Sequence, residues 1–139
     1  MTDGPATPTV FVDSSIPMYI IGGEHPNRAV AQRLVSDAAM AQHRLVTDAE
    51  VLQEILHRYV AIRRKKAIDP AFAFMLRIVD EVLPIERLDV ERARRLLQTT
   101  SRLSVRDAVH VAVMHRHAID QVMSFDTGFD DVTGLTRLS

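Results

Sequence analysis

Carboxylates recur where this chain turns strongly apolar. Asp13 ends Thr9-Val-Phe-Val-Asp13, Glu54 lies within Val51-Leu-Gln-Glu-Ile-Leu56, Asp107 precedes Ala108-Val-His-Val-Ala-Val-Met114, and Asp126 ends Val122-Met-Ser-Phe-Asp126. A carboxylate drawn toward a core needs partners, and a hard divalent cation is one partner able to serve all four together. With no cysteine in the chain, disulfides, thiol catalysis and cysteine-ligated zinc are excluded, so any metal site uses oxygen or imidazole. His57 follows Glu54 by three positions and His110 follows Asp107 by three, a spacing that presents acid and imidazole on one helical face. Taken alone, those two pairs fit a carboxylate/His dimetal helical protein, a design that requires an all-helical chain.

Each acid also has a purely structural role open to it. Asp13 is placed to cap a helix, and Asp126 stands in the turn sequence Asp126-Thr-Gly. Ser104-Val-Arg-Asp107 has the form of a capping box. Glu54 shares a polar helix face with Glu50, Gln53 and His57, which assigns it to solvent. Spacing therefore leaves both kinds of role open at all four positions. Other chemistries find no support, because the chain has no Gly-rich phosphate loop and no Gly-x-Ser-x-Gly elbow. A phospho-aspartyl transferase using Asp13 would carry a second Asp two positions on, where this chain has Ser15.

The elements that must position these residues follow from the apolar pattern. Residues 1–8 read as a flexible lead-in, and 9–139 as a single domain. Val10–Val12 predicts a buried strand, Asp13-Ser-Ser a helix entry with Pro17 in the first turn, and Gly22-Gly23 the end of that helix. A helix is expected from Pro26 to Ala41, a short strand at Arg44–Thr47, and a helix over 48–65 capped by Thr47 or Asp48. Asp69-Pro70 starts a helix running to about Val82, Leu83–Leu88 looks extended, and Asp89 is placed to cap a basic helix over Val90–Leu97. Ser104 opens a nearly all-apolar helix to His117, Gln121–Phe125 returns to strand character, and Leu135–Leu138 suggests an edge strand. Strands alternating with helices predict an α/β domain with a central, mainly parallel sheet flanked by helices.

Composition narrows the classes further. At 139 residues, with 47% hydrophobic and 25% charged residues, the chain is ordinary globular protein of one-domain size. Its apolar runs fall short of the roughly 20 residues of a membrane helix, and Met1-Thr-Asp-Gly-Pro5 lacks a signal-peptide pattern. A cytoplasmic protein is the expectation. Seventeen basic against 18 acidic residues give a net charge of -1, so no overall basic field advertises nucleic acid. The basic residues are clustered, however, in Arg63-Arg-Lys-Lys66 and across Arg87, Arg92, Arg94, Arg95, Arg102 and Arg106. Such clusters are solvated helix faces or phosphate-binding tracks.

Taken in order, Phe11-Val-Asp13-Ser-Ser, Val46-Thr-Asp-Ala-Glu-Val-Leu-Gln-Glu54, Ser104-Val-Arg-Asp107-Ala-Val-His and Ser124-Phe-Asp126-Thr-Gly-Phe-Asp130 resemble the PIN-domain nucleases, in particular the VapC-type toxins of bacterial toxin–antitoxin pairs. The resemblance spans residues from about 10 to 138. It implies a three-layer domain in which Asp13, Glu54, Asp107 and Asp126 converge on Mg²⁺, or Mn²⁺, as metal ligands and catalytic residues. It implies endoribonucleolytic cleavage by metal-activated water, leaving 5′-phosphate and 3′-hydroxyl ends. Ser14 and Ser124 are expected to support the acids, and Asp130 to be a loop residue. The resemblance also implies an RNA substrate, a homodimer, and a VapB-type antitoxin whose segment lies in a groove near the acids, with Ile16, Met18, Tyr19, Ile20 and Ile21 nearby. A noncatalytic PIN-like protein-binding module is the competing expectation.

Overall fold

The computed structural model describes residues 7–139, so the first six residues of the expected lead-in lie outside it. Pairs of helices separate most of the strands, a spacing that lets them lie parallel in one sheet. The chain runs β1 (Thr9–Val12), α1 (Ser15–Ile21), α2 (Pro26–Met40), β2 (Arg44–Asp48), α3 (Ala49–Ala61), α4 (Ile68–Ile78) and β3 (Glu81–Leu83). It then continues through α5 (Arg87–Thr99), α6 (Val105–Arg116), β4 (Gln121–Met123) and β5 (Thr136–Leu138), with 3₁₀ turns at Lys65–Ala67 and Thr127–Asp131. The five strands lie in the order β3-β2-β1-β4-β5, and every pairing is parallel. An all-helical dimetal bundle is thereby excluded.

Parallel strands are covered on both faces, so the central ones are continuous apolar runs rather than alternating ones. Val10, Phe11 and Val12 of β1 are fully buried, as are Val46 of β2 and Val122 of β4. The middle of α6 is also apolar all round, with Ala108, Val111, Ala112, Val113 and Met114 wholly inaccessible. A helix of that composition must run through the interior, which lets it carry polar side chains into the sheet edge without exposing them. Helix α5 packs on α6 and is fixed to it by Arg116, whose Nε and terminal nitrogen donate to the two oxygens of buried Asp89 at 2.8 and 2.9 Å.

Several boundaries differ from the sequence expectation for identifiable reasons. Glu86, not Asp89, is the residue before α5; Asp89 sits one turn in and accepts from the Glu86 N–H, a reciprocal capping box. Helix α4 stops at Ile78 because Val79 is extended (φ -93°, ψ 145°) and Asp80 N–H donates to Leu45 O, drawing this segment alongside β2. Only Glu81–Leu83 of the following stretch pairs as strand. Helix α3 ends at Ala61, short of residue 65. There Arg63 takes φ 59° and the N–H groups of Arg63 and Arg64 bond back to Val60 O and Tyr59 O. The same closure ends α2 at Gln42 (φ 58°) and α6 at Ala118 (φ 55°). These are Schellman turns made without glycine, which is why no Gly signalled them.

Candidate active site

The chain starts at the centre of the sheet, builds β2 and β3 on one side, and later places β4 and β5 on the other. The reversal of strand order falls at β1 and β4, and ligands of open parallel sheets sit in the crevice beyond the strand ends at that point. Asp13 follows β1, Asp48 ends β2, and Ser124 and Asp126 follow β4. Helix α3 begins directly after Asp48, which places Glu54 little more than one turn from the same edge. The Ser104 hydroxyl accepts from the Asp107 N–H at 3.1 Å and starts α6 so that Asp107 and His110 enter the interior.

Asp13 is 4% exposed and its carboxylate does not cap α1. One oxygen accepts from its neighbour's Ser14 N–H at 2.8 Å and the other from the Ser124 hydroxyl at 2.6 Å. Ser14 Oγ donates to Glu54 Oε1 at 2.8 Å, tying α3 to the end of β1. Glu54 is therefore not the solvated residue that periodicity assigns; its side chain is 14% exposed and stands beside Asp13. The polar face of α3 is polar near its N-terminus because it lines this cleft. Arg106 reaches across from α6 to Glu50 at 3.6 Å and Glu54 at 3.8 Å.

His110, paired with Asp107 in the sequence as acid and imidazole on one helical face, also meets Asp48, a partner the spacing did not show. Fully buried and tilted against Phe11, it places Nδ1 2.8 Å from Asp48 Oδ2, while Nε2 stands 4.0 Å from Asp13 and 3.9 Å from Glu54. Asp48 caps α3 through its other oxygen, bonded to Val51 N–H at 2.9 Å, so it serves two elements. The sequence signal for His110 itself was the Asp107-x-x-His110 spacing, one turn of an apolar helix. His57, its counterpart after Glu54, is exposed and takes no part.

Charge is concentrated here at a cost that the individual groups register. Burial pushes the Asp13 carboxyl above its ordinary range, opposed by His110 and the Ser124 hydroxyl. Asp107 is pushed up to about 8, by burial first and then by the Asp126 and Asp13 carboxyls. Asp126 moves the other way, held low by Asp107 despite its partial burial, with help from the Gly128 N–H, Arg137 and Arg102. Burial also works against charge on Glu54, but His110, Ser14 and Arg106 outweigh it and hold its pKa down. Burial opposes a charge on His110 as well; Asp48, then Glu54 and Asp13, overcome it and raise its pKa well above the usual value.

Among the described residues, Asp107 Oδ2 and His110 Nε2 are the buried side-chain atoms with no hydrogen-bond partner. Buried polar atoms are rarely left so. Both face the carboxylates, and ligand atoms of Asp13, Glu54 and His110 lie within 4.8 Å of one another. That donor set, carboxylate oxygens with one imidazole, fits a divalent cation. Asp130 by contrast is paired with Arg137 at 2.9 and 3.1 Å and belongs to the loop. Beside Asp126 opens a cavity of ≈ 400 Å³, whose lining includes Tyr19, Phe125, Arg58 and Arg64. Met18 and Ile21 reach this cavity, whereas Ile16 is core.

A parallel sheet with acids gathered at its switch point is the arrangement of a known family. Residues 10–135 match the PIN domain, and the chain belongs to that family. Its similarity extends to particular members. Ribonuclease VapC13 of Mycobacterium tuberculosis is 58% identical over 130 residues, covering 94% of this chain and 99% of the relative. Two solved structures share the fold. VapC20 of M. tuberculosis, described as a sarcin-ricin loop cleaving toxin, superposes with a TM-score of 0.72 at 24% identity, covering 87% of this chain and 92% of that one. The VapBC2 complex of Rickettsia felis, bound to a promoter DNA fragment, gives 0.68 at 10% identity, with 94% and 97% covered.

Proposed function

We propose that this protein is a divalent-metal-dependent endoribonuclease, the toxin of a toxin–antitoxin pair. The observation that carries the reading is the convergence of Asp13, Glu54 and Asp107 on one buried edge, with two side-chain atoms there left unpartnered. The extended identity to a VapC ribonuclease supports the activity. A bound Mg²⁺ or Mn²⁺ would supply a Lewis acid for the phosphodiester and lower the pKa of water at the site. Asp13, Glu54, Asp107 and Asp126 are the residues that would hold it.

The chain's own residues do the rest. Ser14 and Ser124 fix the orientation of the Asp13 and Glu54 carboxylates, so their lone pairs are aimed before any ligand arrives. Asp48 holds the His110 ring from behind, so that its Nε2 edge faces the acids. Water attacks the phosphorus and the bond to the 3′ oxygen breaks, leaving a 5′-phosphate and a 3′-hydroxyl. The cavity beside Asp126 leads from the acids toward Arg58 and Arg64, a polarity suited to a strand whose backbone is anionic and whose bases stack on Tyr19 or Phe125. A VapB-type antitoxin would use the same opening, and a homodimer would cover Leu56 and Val60, which stay 41% and 49% exposed one turn apart on α3.

Chelation is the direct test. With EDTA present, cleavage of a defined RNA should stop, and Mg²⁺ or Mn²⁺ in excess should restore it with 5′-phosphate ends on the products. Full activity in the chelator sinks the reading.

A further inference from the structure

We infer that His110 is a nitrogen ligand of the cation at this site, making the centre a mixed oxygen–imidazole site that favours Mn²⁺ over Mg²⁺; this rests on the metal-dependent reading above. The geometry is that of a histidine prepared for a metal. Metal-binding histidines almost always give their other ring N–H to a carboxylate or carbonyl, which fixes the tautomer and the ring plane. Asp48 Oδ2 takes Nδ1 in that way at 2.8 Å, and Asp48 is itself anchored by Val51 N–H at 2.9 Å. The ring cannot turn away, being wholly buried against Phe11 with centroids 5.3 Å apart.

Nε2 is consequently aimed at the acids and has no partner there. In this cleft of acceptors either a proton or a cation sits on Nε2, and a bound cation displaces the proton. Two ligands about 2.1 Å from one ion are separated by no more than roughly 4.2 Å. The separations from Nε2 to Asp13 and Glu54, 4.0 and 3.9 Å, fall inside that limit. Imidazole is a ligand that suits first-row transition ions, whereas Mg²⁺ prefers oxygen and keeps its waters. The selectivity follows from the donor.

Pulsed EPR of the full chain loaded with Mn²⁺ reads the bond itself. The expected spectrum shows the hyperfine coupling of a directly bound ¹⁴N, lost in His110→Asn, and a wild-type spectrum without it overturns the inference whether or not that variant folds. Titration calorimetry with Mn²⁺ alone and Mg²⁺ alone should show His110→Asn weakening Mn²⁺ binding about tenfold or more and Mg²⁺ binding less, so the ratio of affinities shifts toward Mg²⁺. A folded variant with the wild-type ratio also overturns it. Asp13→Asn separates the two claims: it should abolish binding of both ions and cleavage alike. If Asp13→Asn keeps both, the acidic centre itself is wrong; if it loses both while His110→Asn changes nothing, only the histidine assignment falls.

Discussion

Asp107 and Asp126 divide a charge between them, and the division has consequences for stability as well as for chemistry. Asp107 titrates near 8 in the folded chain against 3.8 for the free group, and Asp13 is shifted in the same direction. A raised carboxyl pKa means that the folded state holds the proton the unfolded state has released. The associated stability is intact below 3.8 and drains away as pH rises through about 8. Glu54 and Asp126 are shifted downward, so their effects fall below that window, whereas His110, raised well above 6.5, adds to the loss at its upper end. In chelator the melting temperature should therefore drop between pH 5 and pH 8. Asp107→Asn should flatten the drop, raise the melting temperature by about 4 °C at pH 8, and reduce cleavage by about 10²-fold or more. A variant with the wild-type pH slope contradicts the shift. At this scale the sequence was informative about type and misleading about place. Asp13 and Asp126 at strand ends were legible, but Glu54 was assigned to solvent because a one-dimensional period cannot show what covers a polar face. His110 was legible as a partner of Asp107, but only within a helical bundle that the sheet excludes, and its contact with Asp48 depends on a strand distant in sequence.

The elements hold these groups through short links near the sheet edge. Asp126 is fixed by the 3₁₀ turn that follows it, where Asp126 Oδ1 accepts from Gly128 N–H at 2.8 Å. The turn lies so close to the loop before α6 that a Cβ on Gly128 would stand 2.6 Å from Arg102 O. Arg102 in turn donates to Thr127 at 2.7 Å and its N–H to Asp131 at 3.0 Å. Gly128→Ala must push these backbones apart, and a stability loss of about 1–3 kcal/mol is expected, with cleavage falling as Asp126 shifts. Denaturant unfolding and an RNA cleavage rate check it; an unchanged midpoint with unchanged rate would show that the turn is not a support. Most elements were legible because apolar runs and helical spacing are local properties. Their ends were less so. Schellman turns at Gln42, Arg63 and Ala118 lack glycine, and the α5 start depends on a box in which Asp89 is the inner partner.

Across the whole molecule the net charge of -1 offers RNA no general attraction. Attraction must be local, and the basic residues split accordingly. Arg87, Arg102 and Arg106 are engaged with acids, whereas Arg63, Arg64, Lys65 and Lys66 are exposed around a hollow that also borders Ile21 and Val60. Reversing those four charges should lower the cleavage rate at low salt several-fold and flatten its salt dependence, since fewer counterions are then released. An identical salt slope would remove them from the RNA path. None of the helices among the described residues is long and apolar enough to cross a membrane. The central claim is that acids separated by over a hundred positions act as one centre. The most direct measurement compares cleavage of one defined RNA by wild type, Asp13→Asn and Glu54→Gln, each verified as folded by circular dichroism, at saturating Mn²⁺. Both variants should lose about 10²-fold or more of the rate; wild-type cleavage by either one would contradict the account.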